Sequence, residues 1–124
     1  MAKSVHNDVL DASHDETATA NLQTACSAEP TTRTEAVTTF ALADVAMTAG
    51  AGNDYTIADG DTSGRKVTTA AKNGVLVDTT GTATHIALVD GTRLLRVTTC
   101  TSQALTAGNT VNFPAWKAEI ADPT

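Results

Sequence analysis

The sequence predicts an all-β protein, an antiparallel β-sandwich or jelly-roll-like barrel with a short N-terminal helix. Three observations carry that expectation. Asp90-Gly91 stands between two β-branched, apolar-rich runs, GTATHIALV and TRLLRVTTC, which is the strongest short-range hairpin signal. Turn signals recur about every 10 residues between short runs, a spacing that suits sandwiches and barrels rather than βαβ units. Threonine makes up about a fifth of the chain, an excess that suits the exposed faces of sheets.

The elements follow in chain order. Residues from Ser4 to about Ala20 form the one candidate helix, with Ser4 or Asn7 as its cap. Asp8, Asp11, Asp15 and Glu16 favour its N-terminal half through the macrodipole. Its apolar positions, Val5, Val9, Leu10 and Ala12, fade early, so a short or frayed helix is expected. Leu22–Ala28 reads as a first strand, closed by Glu29-Pro30 and the turn-like TTRTE. Val37–Thr48 alternates well enough for a strand, and the lack of a preceding cap and the Thr38-Thr39 pair favour strand over helix.

Ala49–Asp54 is a loop, and Tyr55–Ala58, Arg65–Ala71 and Val75–Asp78 are short strands separated by DGDTSG and an Asn73-Gly74 turn. The block Gly81–Ile120 adds the two hairpin strands, a polar link after Cys100 and a last strand within NTVNFPAWKAEI. The primed hairpin turn expected at Asp90-Gly91 requires positive φ. Pro114 lacks an amide donor, which places its strand at an edge or puts a bulge between Phe113 and Trp116. The expected organisation is an arm or short helix over 1–21 and a single β domain over 22–124.

Composition narrows the function classes. A chain of 124 residues suits one domain, able to bury roughly two-thirds of its unfolded surface. Its apolar 41% is mostly Ala and Val with only four aromatic residues, so the core is thin and neighbouring subunits are expected to add stability. The net charge is −6, and no basic run exceeds Arg65-Lys66. A nucleic-acid surface needs a basic stripe to release counterions, and stacking needs aromatics, so direct DNA or RNA binding is disfavoured. The start, MAKSVHNDVLDASHDE, has no apolar core of signal-peptide length, and no segment is suited to cross a bilayer. Cys26 and Cys100 lack metal-ligand spacing; buried thiols are expected, with a disulfide as the alternative.

No motif carries chemistry. Asp59-Gly60-Asp61-Thr62-Ser63-Gly64 matches the first half of a calcium loop, but the position of the bidentate Glu is Ala70 and Arg65-Lys66 adds positive charge. An Asx-type turn is the expected reading. His14-Asp15-Glu16 fan out around a helix and cannot converge on one ion, and His85 has no G-x-S-x-G nucleophile element to serve. AGAGN lacks the Lys of a phosphate loop. No catalytic residue, cofactor or metal site is expected.

In order along the chain, VHNDVLDA, ACSAEPTT, ADGDTSGRKVT, GTATHIALVD and TVNFPAWKAEIADP resemble a family of small virion structural proteins of tailed bacteriophages, found among head and neck genes. The resemblance spans nearly the whole chain. It implies a non-enzymatic protein on the outer surface of the virion, assembled in the host cytoplasm. The leading expectation is a capsid decoration (cement) protein bracing major-capsid subunits as a homo-oligomer, a trimer among the options. A neck, collar or tail accessory protein is the alternative within the virion, and a host-surface or glycan-binding module the alternative outside it. The candidate interface comprises Val5, Val9 and Leu10 of the N-terminal segment with Phe113, Pro114 and Trp116 of the C-terminal edge. For Phe113 and Trp116, core packing is the competing reading.

Overall fold

The computed structural model describes residues 4–122. The chain forms helix α1 (Asn7–Thr17), strand β1 (Leu22–Cys26), a π-helical turn (Glu35–Thr39) and strands β2 (Ala41–Ala46), β3 (Tyr55–Asp59), β4 (Arg65–Thr69), β5 (Lys72–Leu76), β6 (Gly81–Val89), β7 (Leu94–Leu105), β8 (Thr110–Phe113) and β9 (Lys117–Ile120). The strands build three antiparallel sheets, ordered β2-β1-β6-β7, β3-β4-β9 and β5-β8. None closes on itself, so the expected antiparallel architecture and short N-terminal helix are present but the closed barrel is not.

The helix differs from its expected form at both ends. His6 is the N-cap, its Nδ1 accepting the Asp8 amide at 3.1 Å. The polar half that was expected to fray stays helical because tertiary contacts override propensity. Its buried stripe is Leu10, His14 and Thr17, at i, i+4 and i+7, and the helix lies against β4 and β7. The His14 Nε2–H donates to the Arg65 carbonyl at 3.0 Å, a tautomer fixed by that acceptor. Arg65 extends the same anchor, bonding Asp11 at 2.8 Å and Asp59 at 2.7 Å.

The segment from Val37 is not all strand. Thr32 Oγ1 accepts the Glu35 amide at 3.2 Å, and the Glu35 carboxylate takes the Thr31 amide and hydroxyl at 2.9 and 2.6 Å. These local side-chain bonds satisfy backbone amides at the start of the helical turn. The strand then begins at Ala41. The Asn73-Gly74 pair is likewise no inter-strand turn: it lies inside β5 at a register shift, where Gly74 takes φ +67° and its amide bonds Asn112 Oδ1 at 2.9 Å. Val77 makes only an isolated bridge to Ala43.

The hairpin at Asp90-Gly91 forms, but through a different turn. Val89 pairs with Leu94, leaving Asp90–Arg93 as the loop, and Gly91 is not among the positive-φ residues. Asp90 Oδ1 accepts the Thr92 and Arg93 amides at 2.8 and 2.6 Å, closing an Asx-type loop that needs no left-handed residue. The expected polar link after Cys100 is instead strand, since β7 continues to Leu105. The expected last strand is two strands, β8 and β9, in different sheets and joined through Pro114–Trp116.

Three apolar clusters hold these pieces. One joins Ala25, Leu42, Ala83 and Ile86 of the four-stranded sheet to Val75 and Phe113 of the two-stranded sheet. A second joins Leu88 to Tyr55 and Val67 of the three-stranded sheet. The third packs Ala36 of the π-helical turn on Cys26, Ala87 and Val89.

The Asp90 loop should govern part of the acid response. The Thr92 amide first, then the Arg93 amide and guanidinium, hold the carboxyl down at about 2 against an ordinary 3.8. A carboxyl depressed in the folded state stabilises it above the unfolded pKa and loses that contribution as pH falls through the folded one. Asp90→Asn should therefore lower the urea midpoint at neutral pH and flatten its decline between pH about 4 and about 2. An unaltered acid profile would contradict this assignment.

Candidate interaction surface

Sheet edges carry unpaired amides and carbonyls, and most edges here are closed or blunted. The outer edge of β2 is covered by the segment after β5: the Asp78 and Thr79 amides donate to the Leu42 carbonyl at 2.8 and 3.1 Å, and Val77 bridges Ala43. The outer edge of β3 is met by its own preceding loop, with the Gly52 amide donating to the Tyr55 carbonyl at 2.8 Å. β9 has four residues, two of them Lys117 and Glu119, and β5 and β8 are short and interrupted by the Gly74 irregularity.

β7 differs from all of these. It is the longest strand at 12 residues, and among the described residues it pairs with β6 alone. From Val97 to Leu105 it contains no charge, no proline and no glycine. Thr101–Ala104 are exposed. Near its middle the register jumps from Ala83↔Gln103 to His85↔Thr99, so Cys100–Ser102 stand against Thr84 alone. This bulge bends the strand, and a mainly apolar cavity of about 190 Å³ lies between it and β8.

The residues singled out from the sequence are dispersed. Val9 is 64% exposed on α1, while Leu10 is turned inward. Val5 is half-buried just before the helix. Phe113 is buried in the cluster between the four- and two-stranded sheets, and Pro114 is exposed at the mouth of the cavity. Trp116 is half-buried, its indole N–H donating to Gln23 Oε1 at 2.7 Å. The structure brings Phe113 and Pro114 together at the β7–β8 cleft and keeps Trp116 in the inter-sheet core. Sequence reasoning missed the exposed part of β7, because a polar edge strand shows no apolar alternation to reveal it.

The charged groups of the DGDTSG loop are engaged internally. In the DGDTSG loop, Asp59 binds Arg65, and Asp61 binds Lys66 at 2.6 Å and also Lys117. Gly64, at φ +71°, lies so near the Ile120 carbonyl that a Cβ would fall 1.8 Å from its oxygen. Among the described residues no three His, Cys, Asp or Glu side chains gather as a metal site would require.

Cys26 stands opposite His85 on neighbouring strands, yet its thiol bonds Thr24 and the Ala36 carbonyl, while His85 Nδ1 pairs with Thr84 at 2.8 Å. Burial pushes the Cys26 and Cys100 thiols up, the reverse of what a nucleophilic thiolate needs. Both cysteines are free.

The difference in their burial is measurable. Iodoacetamide should modify Cys100 in the native protein and Cys26 only on unfolding, giving one adduct natively and two in denaturant by intact mass. Equal native rates at both thiols would show that the sheet around Cys26 opens readily.

Comparison with protein-family models, with curated proteins and with solved structures finds no match for this chain.

Proposed function

We propose that this protein is a structural component of a tailed-phage virion, a capsid decoration protein that braces major-capsid subunits through the edge of β7. The observation that carries the reading is that edge. Other edges are short, charged or covered, whereas β7 offers an uncharged run of backbone donors and acceptors to a neighbour. The ordered sequence resemblance supplies the virion context. We also read the stacking of the four-stranded sheet against the two smaller ones as an open sandwich, a rigid body on which such an edge is presented.

Charge and packing favour the same reading. With a net charge of −6, the chain has no attraction for packaged DNA and suits the outside of a shell. Internally bonded carboxylates and raised thiols offer no reacting group, which favours a contact role over a catalytic one. Many copies on a closed shell act multivalently, so weak single contacts suffice, and homo-oligomerisation would add to them.

Copy number in purified particles tests the proposal. Decoration predicts on the order of hundreds of copies per particle, whereas about a dozen would place the protein in a neck, collar or tail ring. Absence from purified virions would refute both and leave a host-surface or glycan-binding module to be tested by sedimentation with host cells.

A further inference from the structure

We propose that the cavity at the bulge of β7 is an anchor pocket for one uncharged aromatic side chain, carried by an extended segment of another protein that pairs with the β7 edge. The space has identifiable causes. Ala25 of β1 and Ala83 of β6 form a floor of small side chains, the bulge at Cys100–Ser102 draws β7 aside, and β8 ends at Phe113, just before Pro114, so that it does not close over the gap. The volume of about 190 Å³ exceeds the roughly 150 Å³ of an apolar cavity that accepts benzene. Among the described residues no Asp, Glu, Lys or Arg lines it, in a chain with 14 carboxylates and 8 basic residues, so a charged guest would find no counterpart. Gln103 and Asn112 supply polar groups to the wall, and Asn112 uses its Oδ1 for the Gly74 amide, leaving its N–H groups to donate.

Two further observations choose the occupant. The strand that walls the cavity is the one with an open edge, so an extended peptide can bond to its backbone while a side chain enters the pocket. Among the described residues, a second copy of this chain offers no fully exposed Phe, Tyr or Trp ring. Tyr55 and Phe113 are buried, the Trp116 indole is bonded to Gln23, and Phe40 packs against the Ala36 cluster. Among the described residues, the exposed large apolar side chains are the aliphatic Val9 and Leu76. This inference rests on the reading of β7 as a contact edge, and it does not require the partner to be a capsid subunit.

The experiment uses the purified full chain with two probes, free indole and the blocked peptide Thr-Val-Trp-Val-Thr, each titrated by amide chemical shifts and by the alkylation rate of Cys100. Indole should saturate with shifts confined to β7, β8 and the Ala25–Ala83 floor. The peptide should bind at least roughly tenfold tighter through its added backbone bonds, slow Cys100 alkylation, and lose binding when its Trp is replaced by Ala. Ala83→Leu should abolish both interactions with the far-UV dichroism unchanged; if that variant does not fold, protection of Cys100 in the native chain decides. No saturable binding of either probe would overturn the proposal. Equal affinity for indole and peptide would overturn it in favour of a small-molecule pocket, and occlusion of Cys100 by self-association alone in favour of a second copy. These results are independent of copy number in the particle, so either idea can fail alone.

Discussion

Gln23 lies fully buried in β1, and its side-chain oxygen accepts the Trp116 indole N–H at 2.7 Å while its amide N–H donates to the Met47 sulfur at 3.7 Å. Trp116 sits in the short link between β8 and β9, where the chain leaves the two-stranded sheet for the three-stranded one. Its backbone is held in turn by the end of β4: the Thr69 amide donates to the Trp116 carbonyl at 2.8 Å, and the Trp116 amide donates to Thr69 Oγ1 at 3.2 Å. One buried amide thus joins all three sheets through one tryptophan. The arrangement is sensitive because a buried polar group without a partner costs about 1–3 kcal/mol, so neither member tolerates loss of the other.

The scarcity of aromatic residues makes that junction matter more. Phe113 belongs to the cluster between the four- and two-stranded sheets, Tyr55 to the cluster facing the three-stranded sheet, and Phe40 to the cluster under the π-helical turn. Trp116 packs against the first two. Each cluster therefore has one large ring amid Ala and Val, with the tryptophan between two of them. Tyr55 is additionally fixed by donating to the Ala20 carbonyl at 2.8 Å, and burial, followed by the Asp54 charge, pushes its phenol up to about 12. Small side chains elsewhere leave space, and the cavity beside β7 is open to a neighbour.

Much of the fold was legible because period-two alternation and turn residues act locally. The β6–β7 hairpin, the Tyr55 and Arg65 strands and the N-terminal helix all follow from such signals. What stayed hidden depends on contacts between distant residues or on polar groups in apolar roles. The buried stripe of α1 contains His14 and Thr17, which a count of apolar residues passes over. Thr31 and Thr32 both bond Glu35 at the start of the π-helical turn, whereas the apolar pattern of the sequence shows no cap before Val37 and its Thr38-Thr39 pair favours strand. Pro114 pointed to an edge or a bulge within one strand, and only tertiary pairing could reveal that the chain breaks there into two strands that enter different sheets. Of the candidate interface, the Phe113-Pro114 corner was legible from its proline. The β7 edge was not, because an exposed neutral strand looks like a linker.

The Gln23–Trp116 bond couples the sheets into one cooperative unit, and a double-mutant cycle tests that coupling directly. Urea unfolding of Gln23→Met, Trp116→Phe and the double variant should give a coupling energy of about 1–3 kcal/mol, with coincident transitions by tryptophan-independent probes in the wild type. Additivity within roughly 0.5 kcal/mol would contradict the account, because the sheets would then be held together by apolar contact alone.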